Sequence, residues 1–258
     1  MNEKTEKELE LLLENYPQLS GCTDDIRAAY EIMINTCWNG GFIMTCGNGG
    51  SASDAEHIVG ELMKSFKLKR PVPGEHRAAL VRAFPVEGDY LANMLQRGLP
   101  SISLVSQSSI STAFINDVAP DMVFAQQVYV YGVAGDVLVG ISTSGNSDNV
   151  VNACKVARSF GIKTIGMTGE GGGRLKDICD VTICVPASET FRVQEYHLPI
   201  YHVLCAMLEM EMFYDGASDE QDDNAINEED DNASDEQDDN TTDEQNDNST
   251  DGQDDSFE

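Results

Sequence analysis

Residues 42–62, which read FIMTCGNGGSASDAEHIVGEL, constrain the fold of this chain more than any other stretch. The apolar residues 42–46 are typical of a buried β-strand. The pattern breaks at the GNGG turn of residues 47–50, and a helix is predicted to begin at Ser51. Glycines let the backbone approach a ligand closely, and a helix N-terminus offers free N–H groups to an anion. The stretch therefore predicts a strand–loop–helix unit that binds an anion.

Short apolar runs alternate with helical patterns along most of the chain. Strands are predicted at residues 42–46, 101–105, 136–141, 162–167 and 180–185. Helices are predicted at residues 4–16, 24–39, 51–66, 121–132, 147–160 and 192–213. Because a helix follows most of the apolar runs, we predict an α/β fold. It should be a three-layer, doubly wound sandwich with a mainly parallel five-stranded sheet, preceded by N-terminal helices.

Composition divides the 258 residues into two regions. Residues 1–216 have the composition of one globular domain. Residues 217–258 contain 19 acidic residues, no Lys or Arg, and five eight-residue repeats, so we predict a disordered acidic tail. A solubilising repeat and an arm that recruits a partner or binds cations are both open for this tail.

The charge and the cysteines exclude several classes of protein. The net charge is −29, of which −10 remains without the tail, and such acidity argues against nonspecific binding to nucleic acid or anionic membranes. No apolar run is as long as a membrane span, and the N-terminus does not resemble a signal peptide. The seven cysteines include no CxxC pair, which favours reduced, buried thiols in a cytoplasmic protein.

Residues 67–100 are too long for an ordinary connection and are rich in Lys and Arg. We predict that this segment carries one or two short helices and covers the site as a lid or as a subunit contact. The alternative is a surface excursion without a role in the site.

A second candidate anion loop is the sequence STSGNS at residues 142–147. It follows the predicted strand 136–141 and precedes a predicted helix, so its hydroxyls and the helix N–H groups can surround a phosphate. A single Ser-rich turn can also be a simple helix cap. Two such turns at strand ends of one sheet, where ligands of these folds bind, predict a phosphate site.

Histidines concentrate on two predicted helices. His57 and Glu61 are separated by four residues and therefore share one helix face. The last helix carries Gln194, His197 and His202. A histidine can exchange a proton near neutral pH or bind a metal, but it can also simply pack, and we favour packing for His197. Pro199 is expected to bend this helix between Gln194 and His202.

Four motifs of the chain are found together in a known family. They are CGNGGSxxDAxHxxxEL, ND at residues 116–117, GISTSGNS, and RVQExH followed by His202. With these motifs, about residues 25–213, apart from most of 67–100, resemble the phosphoheptose isomerases of the sugar isomerase (SIS) domain superfamily. The resemblance implies conversion of sedoheptulose 7-phosphate to D-glycero-D-manno-heptose 7-phosphate. It also implies a cytoplasmic homotetramer that binds zinc.

The resemblance also implies roles for individual residues. Glu61 would be the catalytic base and His202 the acid. One zinc ion per subunit would be held by His57, Glu61, Gln194 and His202. The substrate would be bound by Asn48, Gly49, Gly50, Ser51, His57, Glu61, Asn116, Asp117, Ser142, Thr143, Ser144, Ser147 and Gln194.

Two other functions stay open. One is a non-catalytic phosphosugar-binding module that senses a ligand or recruits a partner, and the acidic tail favours it. The other is an isomerase of a different sugar phosphate, which the long 67–100 segment favours. The pair of Glu61 and His202 favours the heptose isomerase, since a module that only binds has no chemical need for an acid and a base.

Overall fold

The computed structural model of the protein describes residues 1–214. The predicted acidic tail at residues 217–258 lies outside these residues. The helices are α1 (Glu3–Asn15), α2 (Thr23–Trp38), α3 (Gly50–Met63), α4 (Gly74–Ala83), α5 (Gly88–Met94), α6 (Ser108–Asp117), α7 (Val123–Tyr131), α8 (Asp148–Ser159), α9 (Gly173–Ile178) and α10 (Thr190–Phe213). Short 3₁₀ turns occupy Pro17–Cys22 and Pro120–Met122.

One sheet organises these helices. Its strands are β1 (Ile43–Gly47), β2 (Ser101–Ser103), β3 (Val137–Ile141), β4 (Lys163–Thr168) and β5 (Val181–Cys184). They run in the order β2-β1-β3-β4-β5, and every neighbouring pair is parallel. The predicted α/β class, the five parallel strands and their positions are confirmed. Helices α6 and α9 were not predicted.

The sheet separates two hydrophobic layers because side chains alternate between its faces. Ile43 of β1 and Val137 of β3 contribute to the layer that contains α1, α2, α3 and α10. Met44 and Leu138, the next residues along these strands, contribute to the layer that contains α7, α8 and α9. Helices α3 and α10, which carry the candidate histidines, therefore pack on the same face of the sheet.

The segment at residues 67–100 contains two short helices, α4 and α5, as predicted. No residue of α4 is buried, and an isolated antiparallel bridge between Pro71 and Gln96 closes the base of the segment. Arg77 of α4 donates a hydrogen bond of 2.6 Å to Asp89 of α5. A role for this segment as a lid or a subunit contact stays a prediction.

Helix α10 continues from Thr190 to Phe213 with Pro199 inside it. Proline lacks the N–H that would bond to the carbonyl group four residues earlier, but the helix is continuous through Pro199. Gln194 and His202 therefore belong to one helix. Among the described helices, none combines the length and the apolar character needed to cross a lipid bilayer.

Candidate active site

The two predicted anion loops lie side by side because β1 and β3 are neighbours in the sheet. Strand β1 pairs with β3 from Ile43 and Val137 to Gly47 and Ile141, so both strands end at the same edge. The chain leaves β1 for β2 on one side and continues from β3 to β4 on the other. Ligands of doubly wound folds bind at such a reversal of strand order, and helix N-termini there attract anions.

The first loop turns sharply into α3. Gly49 has φ of +57°, a conformation that favours glycine, and its carbonyl group accepts hydrogen bonds from the N–H groups of Ala52 and Ser53. Ser51 is buried in the first turn of the helix. The backbone of this loop is therefore held in one conformation at the start of α3.

The second loop is folded around its own hydroxyl groups. The Ser142 and Ser147 hydroxyls are 3.0 Å apart, and Asn146 N–H donates to the Ser144 hydroxyl at 3.2 Å. Gly145 has φ of +65°, and its N–H donates to the Ser142 carbonyl group at 2.8 Å. Ser147 precedes α8 directly. Four of the five hydroxyl-bearing residues predicted to hold a phosphate, Ser142, Thr143, Ser144 and Ser147, are thus gathered in one turn at a helix start, while Ser51 lies in the first loop.

A pair of side-chain amides connects the two loops. Asn48 Nδ2 donates to Asn149 Oδ1 at 2.9 Å, and Asn149 Nδ2 donates to Asn48 Oδ1 at 2.9 Å. Asn149, in the first turn of α8, was not singled out by its sequence. Its role depends on a partner 101 positions away, for which no local pattern exists.

Gln194 lies against the first loop. A Cβ atom added to Gly50 would come within 2.6 Å of Gln194 Nε2 and within 3.0 Å of Gln194 Oε1. The side chain of Gln194 therefore occupies the space that a larger residue at position 50 would fill. This contact brings the start of α10 to the start of α3.

His57 and Glu61 interact on α3, as their spacing predicts. His57 Nε2 is 3.1 Å from Glu61 Oε1, and His57 Nδ1 is 2.9 Å from the hydroxyl group of Tyr201 on α10. A neutral imidazole satisfies both contacts by donating to the carboxylate and accepting from the hydroxyl. Tyr201, which is buried and was not among the predicted residues, thus fixes the His57 ring from the neighbouring helix.

His202 completes this group from α10. Its ring centroid is 5.0 Å from that of His57, in an edge-on arrangement, and 5.6 Å from that of Phe66. Its Nε2 atom is buried and has no hydrogen-bond partner among the described residues. His202 also lines a cavity of about 340 Å³ together with residues of α1 and α10. This cavity is lined neither by the two loops nor by His57 and Glu61, and the unpaired nitrogen of His202 is closed off from solvent.

Burial shifts the pKa values of His202, Tyr201 and Asp54. Desolvation and the proximity of His57 lower the pKa of His202, while Glu61 acts in the opposite direction. Desolvation raises the pKa of Tyr201, and the neighbouring Asp54 carboxylate adds to this effect. Desolvation also raises the pKa of Asp54, against a hydrogen bond from Tyr201. The Tyr201 hydroxyl therefore stays protonated at neutral pH. Its single proton can be donated to Asp54 or to His57 Nδ1, but not to both at once.

His197 is a core residue, as the sequence favoured. Its side chain is fully buried, and its Nε2 atom is 3.3 Å from the carbonyl oxygen of Thr168. Burial lowers its pKa to about 4, so it is neutral at physiological pH.

Asn116 and Asp117 lie at the exposed end of α6. Their side chains contact each other, and Asn116 Nδ2 donates to Asp117 Oδ1 at 2.8 Å. The contact with sugar hydroxyls that the resemblance implies stays a prediction.

Three of the side chains expected to bind zinc, those of His57, Glu61 and His202, are near one another but are not arranged around a common point. The fourth, Gln194, lies against Gly50. Among residues 1–214, no group of three or more His, Cys, Asp or Glu side chains is placed to hold a metal ion. His57 and Glu61 instead hydrogen bond to each other. The donor types still fit zinc, which accepts imidazole and carboxylate ligands, and the unpartnered His202 Nε2 is such a donor.

Comparison with known proteins shows the family of this chain. The model of the SIS domain family matches residues 17–83 and 76–169. The phosphoheptose isomerase of Nitratiruptor sp. is 41% identical over 213 residues, which cover 81% of this chain and 98% of that protein. The phosphoheptose isomerase of Aliarcobacter butzleri is 40% identical over 189 residues, which cover 73% of this chain and 86% of that protein.

Solved structures give the same result. The phosphoheptose isomerase GmhA from Neisseria gonorrhoeae superposes with a TM-score of 0.57 at 35% identity, over 72% of this chain and 86% of that one. A phosphoheptose isomerase from Francisella tularensis has a TM-score of 0.60 at 29% identity, with the same coverage of both chains. The chain therefore belongs to the phosphoheptose isomerase family of SIS-domain proteins.

Proposed function

We propose that this protein is an aldose–ketose isomerase that converts sedoheptulose 7-phosphate to D-glycero-D-manno-heptose 7-phosphate. The observation that carries the proposal is the packing of His202 on α10 against His57, which hydrogen bonds to Glu61 on α3. Helix α3 begins at one of the two loops suited to a phosphate. A module that only bound a phosphosugar would need the loops alone.

The phosphate end of the substrate is assigned to the two loops. Ser51, Ser142, Thr143, Ser144 and Ser147 supply hydroxyl groups there, and the N-termini of α3 and α8 supply N–H groups and a favourable dipole. The amide pair joining the loops keeps their spacing fixed, so less ordering is required when the phosphate binds.

Glu61 and His202 are assigned the proton transfers. Moving the carbonyl group from C2 to C1 requires removal of a proton from C1 and delivery of a proton to C2, through an enediol. Glu61 takes the first proton as a carboxylate. His202 protonates the C2 carbonyl oxygen, which gives the enediol. Glu61 then returns its proton to C2 while His202 takes the proton of the C1 hydroxyl group, so both side chains end in their starting states. Tyr201 and His57 orient Glu61 through the chain of hydrogen bonds between them.

Zinc is the proposed cofactor, one ion per subunit, with His57, Glu61, Gln194 and His202 as its ligands. Because Glu61 and His202 cannot hold the ion and exchange protons at once, the ion would loosen its hold on them during turnover or serve mainly to order the site. The ion would polarise the carbonyl group and favour the negative charge that develops on the enediol oxygens. Mass spectrometry of the native protein and zinc titration by calorimetry test this assignment. His57→Ala should lower zinc affinity at least tenfold, while His76→Ala, on the exposed surface of α4, should leave it unchanged.

A homotetramer in the cytoplasm completes the proposal. Large apolar side chains such as Phe84, Tyr90 and Met94 are more than half exposed, which suits contact with further copies. The seven cysteines are free, as expected of a reducing compartment. Light scattering should give four times the mass of one chain.

Incubation of the purified protein with sedoheptulose 7-phosphate tests the reaction. Heptose 7-phosphate should form, and in deuterated water the carbon next to the carbonyl group should acquire deuterium. Glu61→Gln and His202→Ala should each reduce turnover at least 10³-fold without loss of the folded circular dichroism spectrum. Glu31→Gln makes the same chemical change on the exposed face of α2 and should be fully active. Absence of both turnover and deuterium incorporation with sedoheptulose 7-phosphate would overturn this proposal. Their absence with every ketose phosphate of seven or fewer carbons would favour the binding module.

A further inference from the structure

A fully buried ion pair lies at the C-terminal end of α3, the opposite end of this helix from the first loop. Arg70 Nε donates to Glu209 Oε1 at 2.6 Å, and both side chains have no solvent exposure. Arg70 begins the long segment between α3 and β2, and Glu209 belongs to α10. Neither residue has a role in the proposed chemistry.

The guanidinium group of Arg70 also donates hydrogen bonds to the backbone of α3. Its Nη1 atom donates to the Leu62 carbonyl group at 3.0 Å, and its Nη2 atom donates to the carbonyl group of Glu61 itself at 3.3 Å. The last four carbonyl groups of a helix have no partner within it. Arg70 therefore caps the C-terminal end of α3 and brings a positive charge to the negative end of its dipole.

The carboxylate of Glu209 is held equally firmly. Besides Arg70, it accepts the backbone N–H groups of Phe66 at 2.9 Å and Lys67 at 2.7 Å. Glu209 is seven residues beyond His202, two turns along the same face of α10. The ring of Phe213 covers the guanidinium at 4.6 Å.

We propose that Arg70 and Glu209 form a positioning clamp that sets the placement of Glu61 relative to His202. The guanidinium group of Arg70 hydrogen bonds both to the backbone carbonyl group of Glu61, the proposed base, and to the side chain of Glu209, two turns along α10 from His202, the proposed acid. A shift of α3 along α10 would break several of these buried bonds together. This inference rests on the proposed function, in which Glu61 and His202 act on one substrate.

The energetics of buried charges support a positioning role over a purely stabilising one. Removing two charges from water is costly, and apolar pairs of the same volume are often as stable. An apolar pair at these positions would lack the hydrogen bonds by which Arg70 fixes Glu209 and the end of α3. Because a misplacement of about 1 Å can cost on the order of 100-fold in rate, geometry at this point matters for turnover.

Two variants remove the clamp in different ways. Arg70→Lys keeps the positive charge, but one ammonium group cannot reach Glu209 and both carbonyl groups. The double variant Arg70→Met/Glu209→Leu removes both charges, so no unpaired charge stays buried if the protein folds around it. Arg77→Met is the matched control, because Arg77 lies in the same segment and pairs with Asp89 at the surface.

The clamp variants should lower kcat at least tenfold, with KM and the inhibition constant for inorganic phosphate changed less than threefold. The two loops lie at the starts of α3 and α8, and the start of α3 is about 15 Å along the helix from Glu61, which explains the unchanged binding. Arg77→Met should keep kcat within twofold. A kcat within twofold of wild type in the folded double variant overturns the clamp, and so does a loss confined to KM.

Nuclear magnetic resonance of the histidine rings separates failure of the clamp from failure of the proposed function. Loss of the clamp should shift the imidazole signals of His57 and His202, while His76 and His197 stay in place. If the wild-type protein is inactive but the clamp variants still shift the His57 and His202 signals, the clamp stands and the isomerase proposal fails. Unmoved His57 and His202 signals in both clamp variants overturn the clamp whatever the turnover.

Discussion

The substitution Gly50→Ala tests whether Gln194 acts in the site, because it moves that side chain without changing it. The added Cβ would lie 2.6 Å from Gln194 Nε2 and 2.9 Å from its Cδ. The clash involves the end of a flexible side chain and spares the backbone. Gln194 is partly exposed and can rotate away, so the protein should fold normally with this one amide displaced.

The size of the displacement sets the expected loss. To restore ordinary contact at 3.4 Å, the Gln194 amide must retreat by roughly 0.8 Å from the added Cβ. A displacement of this order at a reacting centre costs about 10- to 100-fold in rate, or about 1.4–2.7 kcal/mol of transition-state stabilisation. The free energy of unfolding should change by less than about 0.5 kcal/mol, as for other surface substitutions.

Steady-state kinetics with sedoheptulose 7-phosphate and thermal unfolding measure the two effects. Gly60→Ala is the control: the same change on the same helix points into open space, and it should raise Tm by about 1–4 °C with unchanged kcat/KM. In a double-mutant cycle, Gly50→Ala should add nothing to Gln194→Ala, because both remove one interaction. Additive losses would refute the claim that Gly50→Ala acts through Gln194, and full activity in both Gly50→Ala and Gln194→Ala would refute a role for Gln194.

Three further changes test other parts of the structure. Gly145→Ala forces a side chain into φ of +65° and within 2.0 Å of the Gly172 carbonyl oxygen, so it should lower Tm by several degrees and weaken phosphate inhibition at least tenfold. Gly171→Ala, in open space, should do neither, and an equal effect of the two would refute the steric argument. Asn149→Ala breaks two exposed hydrogen bonds between the loops and should raise KM about tenfold with kcat within threefold; a loss in kcat alone would contradict this. His197 has a folded-state pKa of about 4, below its unfolded value, so its contribution is full above pH 6.5 and is lost as the pH falls. The free energy of unfolding, measured with urea, should fall by about 1.4 kcal/mol per pH unit below pH 6.5, about 3 kcal/mol in all, relative to that of His197→Gln. Parallel plots of this free energy against pH for the two proteins would refute the prediction.

The regular elements were largely predictable, because strands of a parallel sheet are buried on both faces and read as apolar runs. Strand β3, with all five residues buried, is an example. Helix α6 was missed because its Ser, Thr and Ile residues have weak helix propensity, and tertiary packing decides its conformation. Helix α9 has only six residues and follows a run of glycines, so it shows no helical period.

The site was predictable only in part. The loops were recognisable because turn residues at strand ends are local signals, and His57 with Glu61 is a local spacing. The partners that hold them are not local: Tyr201 is 144 positions from His57, and Glu209 is 139 positions from Arg70. Such pairs depend on how the helices pack, and a single sequence carries no sign of them.

The position of α3 suggests how chain length can be selected among sugar phosphates. Its N-terminus belongs to the phosphate loops, while His57 and Glu61 lie about 9 Å and 15 Å further along the helix axis. Helical side chains lean toward the N-terminus, so the Glu61 carboxylate reaches back over the turn of His57, as their 3.1 Å contact requires. A substrate with its phosphate in the loops must therefore extend its reacting carbons along about two turns of helix. A shorter ketose phosphate can occupy the same loops without placing C1 and C2 between Glu61 and His202, so it should lose kcat more than affinity.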